Sequence, residues 1–172
     1  VVLAGDSTLS ASSIRLPDLT GAGQDLLVDG ELDLAGAATG LGDLTVTGPA
    51  RLGGNVAGTG EQRWPGPVLL EGGARTLTAS RVVLDALAGG GLGLTVDGAL
   101  ETGGALTGLA RLTVTGDAVV GGDVTTTGAQ DWLGRLAPVD GNRTLTGTVL
   151  TLEGGVLGSG AGLTLSGELL LG

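Results

Sequence analysis

The chain contains no Cys, His, Met, Phe or Tyr, and all eight of its basic residues are Arg, so Lys is missing as well. Without cysteine there is no disulfide framework and no thiolate metal site. Without His, Cys or Lys, imidazole metal sites, nucleophilic triads and Schiff-base chemistry are ruled out. A Walker A loop is ruled out with them, because that loop needs its lysine. No apolar run reaches the ~18–20 residues of a membrane span, since Gly, Asp and Thr interrupt every one. Two tryptophans are the only aromatics in 172 residues. Large aromatics bury the most surface per residue, so the 41% of apolar residues must build a core from Leu, Val and Ala. Such a core suits thin, regularly stacked layers better than a thick globule.

What is present is acidic and rich in glycine, with 37 Gly, a net charge of −10 and an isoelectric point near 4.1. That balance lacks the basic stripe of a nucleic-acid binder and matches anionic headgroups poorly, so neither nucleic acid nor membrane insertion is expected. The apolar share is too high for a disordered chain. The sequence opens at Val1 without Met, signal peptide or basic leader, and is expected to be an excerpt of a longer array.

Self-similarity is the strongest signal. LGDLTVTGPARLGGNVAGTGEQRWPG from Leu41 matches LARLTVTGDAVVGGDVTTTGAQDWLG from Leu109 at an offset of about 68 residues, without a gap. Gly48/Gly116, Gly53/Gly121, Gln62/Gln130, Trp64/Trp132 and Arg75-Thr76-Leu77-Thr78 against Arg143-Thr144-Leu145-Thr146 all coincide. Residues 1–40 then form a partial repeat, 41–108 a full one and 109–172 a near-full one. A shorter beat of the type Leu-Thr-Val-Thr-Gly is led by Leu9, Leu26, Leu44, Leu77, Leu94, Leu112, Leu145 and Leu163. Its spacing is about 17–18 residues, except for about 33 from Leu44 to Leu77 and from Leu112 to Leu145, where the Gln-x-Trp segment stands.

In Leu44-Thr45-Val46-Thr47 apolar and polar residues alternate, the period of a half-buried strand. The glycine that usually follows permits a sharp corner. No helical period is sustained, and Ala88-Gly89-Gly90-Gly91 would break a helix. The expected fold is an all-β parallel β-helix (β-solenoid), with four coils averaging about 17 residues per long repeat and about ten coils in the chain. The eight lead leucines are expected to form one internal ladder.

Thr127-Gly128-Ala129-Gln130-Asp131-Trp132-Leu133-Gly134, followed by Arg143-Thr144-Leu145-Thr146-Gly147, resembles the TGAQxY-x-G…TLTG repeat of filamentous-haemagglutinin-type exoproteins, large bacterial adhesins exported by two-partner secretion. The earlier copy, Thr59-Gly60-Glu61-Gln62-Arg63-Trp64-Pro65-Gly66, departs from the motif at Glu61. The resemblance implies a right-handed parallel β-helix, a secreted or bacterial cell-surface location and a stalk role.

Candidate chemistry is sparse. The glycine runs Gly89-Gly90-Gly91-Leu92-Gly93 and Gly158-Ser159-Gly160-Ala161-Gly162 miss the dinucleotide fingerprint and read as coil corners. Asp29, Glu31 and Asp33 alternate as if along one strand face, and their counterparts Asp97, Ala99 and Glu101 do not keep the triplet. A solvated face is favoured there over a calcium site or a catalytic cluster, with Asp33 stacking near Arg51. Trp64 and Trp132 are either a sugar-stacking platform or, as favoured, lids packed over a corner. Asn142-Arg143-Thr144 fits a glycosylation sequon and reads as chance. Thr45/Thr47, Thr76/Thr78, Thr113/Thr115 and Thr144/Thr146 invite an ice-binding reading, which Asp29, Asp97, Glu61 and Arg63 on the same face would spoil.

The sequence therefore reads as a structural rod of a secreted or surface adhesin, not an enzyme, with no catalytic, cofactor or metal residues. Its expected partners are neighbouring coils, end-to-end copies of itself, or host-surface and matrix glycans. A carbohydrate-binding solenoid and a self-assembling extracellular filament subunit are the alternatives.

Overall fold

The computed structural model describes residues 1–158 and 160–172. Among these described residues, eighteen strands form one continuous parallel sheet and there is no helix; the sheet is wound as a β-solenoid of about 9 turns set about 18 residues apart. Each turn has three faces, here A, B and C in chain order.

The inward columns define them. Face A stacks Leu26, Leu44, Gln62, Val82, Leu100, Ala118 and Leu136. Face B runs Ile14, Leu32, Ala50, Val68, Leu87, Leu106, Val124, Leu145 and Leu165. Face C runs Leu19, Ala38, Val56, Leu77, Val96, Val114, Trp132, Leu152 and Leu171. The alternation in each short strand, as in the buried–half-buried–buried Leu44–Val46, aims every second side chain into one continuous aliphatic core. Backbone groups are paired by the ladders between turns, so each turn is completed by its neighbours.

Corners are built from two devices. At Gly30, between faces A and B, the backbone takes φ 141°, and Gly98 repeats the same angle. A Cβ at Gly30 would collide with the Ala11 carbonyl of the turn before, and at Gly98 with that of Ala79. Elsewhere an Asp or Asn caps the step. The Asp6, Asp25 and Asp43 carboxylates accept the backbone N–H of Asp25, Asp43 and Glu61, each one turn on, at 2.9, 2.7 and 2.7 Å. Asn55 does the same for Thr76 at 3.0 Å. These are donors that the ladder itself leaves unpaired.

Two expectations need correction. The turns number about nine and not ten, because the interval from Leu44 to Leu77 is not two whole coils. Leu44 continues through Gln62 to Val82 on face A, whereas Leu77 pairs with Val56 and Val96 on face C. The lead leucines likewise do not form one ladder. Leu26 and Leu44 share face A, Leu77 and the neighbouring column of Leu94 and Leu112 lie on face C, and Leu145 lies on face B. Leu163 pairs with Arg143 on face B, and Leu9 pairs with Val28 on face A. Six of the eight are buried; Leu9 and Leu163, in the outermost turns, are partly buried.

Candidate functional site

Each side chain that the sequence singles out has a defined place in this frame. Trp64 projects inward from face A and Trp132 from face C, each 1% exposed. Neither indole presents a face to solvent, so a sugar cannot stack on it in this fold. Each lies two residues after a glutamine that is wholly buried. The Gln62 Nε2 donates to the carbonyls of Val56 at 3.2 Å and Thr78 at 2.9 Å. Gln130 repeats this with Val124 at 3.2 Å and Thr146 at 2.8 Å, and its Oε1 accepts the Trp132 Nε1–H at 3.3 Å. In the first copy, the Gln62 Oε1 and Trp64 Nε1 have no partner. The Gln-x-Trp motif is thus an interior fastening that ties two successive turns through their carbonyls.

Arg75 and Arg143 do a related job at the longest bends of their turns. Arg75 donates from Nε to the Leu52 carbonyl at 3.2 Å, from Nη1 to Ala74 at 3.2 Å and from Nη2 to Glu71. Arg143 donates to the carbonyls of Val139 at 2.9 Å, Asn142 at 3.3 Å and Asp140. Val56 pairs with Leu77 and Val124 with Leu145, longer steps than the others, and the guanidinium fills the extra bend with donors. The recurrence of Arg-Thr-Leu-Thr was visible in the sequence; that the Arg closes a bend was not, because the carbonyls it reaches belong to a segment that varies between copies.

The acidic triplet is divided by the bend at Gly30. Asp29 remains on face A, accepting from the Thr47 hydroxyl at 3.1 Å, while Glu31 and Asp33 lie on face B. Asp33 pairs with Arg15 at 3.3 Å. Arg51 stacks beside Asp33 as expected from the sequence, but its ion pairs are with Glu71 at 2.8 Å and Glu31 at 3.9 Å. The hydrogen bond and charge of Glu71 hold the Arg51 pKa above its ordinary value. Further exposed pairs join Arg63 and Arg81 to Glu61, Arg81 to Glu101 and Arg111 to Asp131. Among the described residues, no group of three or more His, Cys, Asp or Glu side chains converges as a metal site.

The threonine pairs do not share a side. Thr45/Thr47 belong to face A, Thr76/Thr78 and Thr113/Thr115 to face C, and Thr144/Thr146 to face B. The charges expected to interrupt one lattice are also dispersed, with Asp29, Glu61 and Arg63 on face A and Asp97 on face C, where it accepts the Thr115 hydroxyl at 3.1 Å. The Asn142 Oδ1 accepts the Gly162 N–H at 3.1 Å, so the sequon asparagine works as a corner cap. Gly90 and Gly91 turn a corner at φ 60° and 79°. Of the second glycine run, Ser159 lies outside the described residues.

A depression on face B, about 600 Å³ in volume, is lined by Pro49, Arg51, Pro67, Leu69, Ala86 and Ala88 among others. Comparison with protein-family models, curated proteins and solved structures finds no match to this chain.

Set side by side, the two copies differ in an ordered way. Most inward positions are kept or exchanged among aliphatics, as at Leu44/Leu112, Val46/Val114, Ala50/Ala118, Val56/Val124, Leu77/Leu145 and Val82/Leu150, with Leu87/Gly155 an exception. Several outward positions change character or sign, Asp43/Arg111, Arg51/Val119, Glu61/Ala129, Arg63/Asp131 and Pro67/Arg135, while the outward threonines Thr45/Thr113, Thr47/Thr115, Thr76/Thr144 and Thr78/Thr146 are kept. The repeat largely preserves its interior and its corners, while many of its outward charges are replaced and a few, such as Asp29/Asp97 and Asp33/Glu101, keep their sign.

Proposed function

We propose that this chain is a rigid spacer segment of a secreted or surface-anchored bacterial adhesin of the filamentous-haemagglutinin type, without a catalytic role. The observation that carries this reading is the asymmetry between the copies. A repeated binding site would hold its outward chemistry and tolerate change inside; here Arg63 becomes Asp131 while Gln62 and Trp64 beneath it are kept as Gln130 and Trp132. The motif resemblance supports the adhesin class and the extracellular location, and the β-solenoid supplies the stiffness a stalk needs. About nine turns at ~4.8 Å each give a rod of ~43 Å.

The test is a glycan array probed with the purified chain. A spacer shows no saturable binding. Saturable binding that is lost on Arg51→Ala, in the lining of the face B depression, would replace the spacer with a glycan-binding solenoid.

A further inference from the structure

The strongest regularity in the fold is one that the sequence repeat hides. Three equivalent strands, Leu26-Leu27-Val28-Asp29-Gly30, Leu94-Thr95-Val96-Asp97-Gly98 and Leu163-Thr164-Leu165-Ser166-Gly167, follow one another at offsets of 68 and 69 residues. Each ends in a glycine of strongly positive φ, 141°, 141° and 150°, and each shows a register shift at that corner. The first lies on face A, the second on face C and the third on face B. Equivalent corners are thus A-to-B, C-to-A and B-to-C, so three copies visit all three corners.

The other equivalent positions obey the same rule. Trp64 on face A becomes Trp132 on face C, Val56 on face C becomes Val124 on face B, and Leu32 on face B becomes Leu100 on face A. Four steps up face A carry Leu26 through Leu44, Gln62 and Val82 to Leu100, but the equivalent of Leu26 is Leu94, one face short of Leu100. One copy therefore occupies eleven faces and not the twelve of four whole turns.

We infer that the unit is a screw element, which displays its outward groups one face further back with every copy. A ligand that reads an outward group kept between copies, such as Thr45/Thr113, meets it on face A and then on face C, so that equivalent positions wind around the rod instead of lining one side. At ~4.8 Å per turn the rise per copy is ~18 Å, and the same group returns to the same side only after three copies and eleven turns, ~53 Å along the axis. A flat multivalent partner laid along one side thus meets different chemistry from each successive copy. This display is a property of the ladder register and does not depend on the spacer role proposed above.

Paired cysteines test it cleanly, because the chain has none of its own. In the screw, Arg63 lies beside Val83 and Asp131 beside Thr151. Were each copy a set of whole turns, the strand after Arg63 would be that of Thr76–Thr78, and Asp131 would lie beside Thr146. Arg63→Cys/Val83→Cys and Asp131→Cys/Thr151→Cys should form disulfides on mild oxidation, since neighbouring positions in a ladder meet the ~4.4–6.8 Å Cα spacing that a disulfide needs. Arg63→Cys/Thr78→Cys and Asp131→Cys/Thr146→Cys should remain reduced. Thr45→Cys/Arg63→Cys, adjacent under either arrangement, reports that the cysteine variants fold. With that control oxidised, closure of the second set, or failure of the first set to close, overturns the screw.

Discussion

Replacing Gln130 with Glu should turn a silent interior amide into a pH-dependent fault. Gln130 is fully buried, donates from Nε2 to the Val124 and Thr146 carbonyls at 3.2 and 2.8 Å, and accepts from the Trp132 indole at 3.3 Å. A carboxylate keeps the last of these and loses both donors, setting a negative charge against two carbonyl oxygens. Each buried group left unpaired costs about 1–3 kcal/mol, and the charge escapes its own desolvation only by staying protonated. The folded-state pKa of the new acid is therefore raised above the unfolded value of about 4.3. Between those two values the native state binds more protons than the unfolded state, so stability falls as pH rises through the window, by ~1.4 kcal/mol per pH unit. Below it, the protonated acid restores one donor of the two, and the expected loss is about 1–3 kcal/mol. The assay is urea unfolding at pH 4 and pH 7.5, followed by emission from the two tryptophans. The unsubstituted chain is measured in parallel to remove the titration of its 18 native carboxyl side chains. Gln130→Met, similar in shape and unable to ionise, should show a penalty independent of pH. An equal penalty for Gln130→Glu at both pH values would refute the buried-fastening account.

Gly98→Ala should destabilise the chain by about 1–3 kcal/mol through backbone strain and the clash with Ala79, whereas Gly5→Ala, whose Cβ would meet nothing within 4 Å, should be near neutral; thermal melts by circular dichroism compare the two. Arg143→Ala removes three donations to the carbonyls of Val139, Asp140 and Asn142. It should cost about 1–2 kcal/mol and speed amide hydrogen exchange over residues 139–146 before it affects face A. Leu170→Lys places a charge on the exposed strand Leu163–Leu171, and should reduce any concentration-dependent association seen by analytical ultracentrifugation, since edge charges oppose strand pairing.

The sequence carried the strand pattern, the long repeat and the apolar lining, because alternation in Leu44-Thr45-Val46-Thr47 and the offset matches are local or one-dimensional signals. The phase between repeat and turn was not legible. Leu26 and Leu94 both lead a Leu-x-Val-Asp-Gly segment, and only the ladder partners, Ser7 and Leu44 for one and Arg75 and Leu112 for the other, show that they lie on different faces. The bend at Gly30 was equally hidden, since Asp29, Glu31 and Asp33 alternate as they would in a straight strand. Gln62 and Gln130 were recognisable as a recurring polar residue, but a glutamine in a polar-rich segment carries no mark of burial. Its role follows from carbonyls that are 16 residues away and one turn on.

The chain is a column that gains length, and not width, with each added unit. Duplicating residues 41–108 in tandem within the chain and comparing small-angle X-ray scattering of the two proteins tests it directly. The solenoid predicts a length increase of ~18 Å, eleven faces at ~4.8 Å per three-faced turn, with the cross-sectional radius unchanged. A widened cross-section with no gain in length would contradict it.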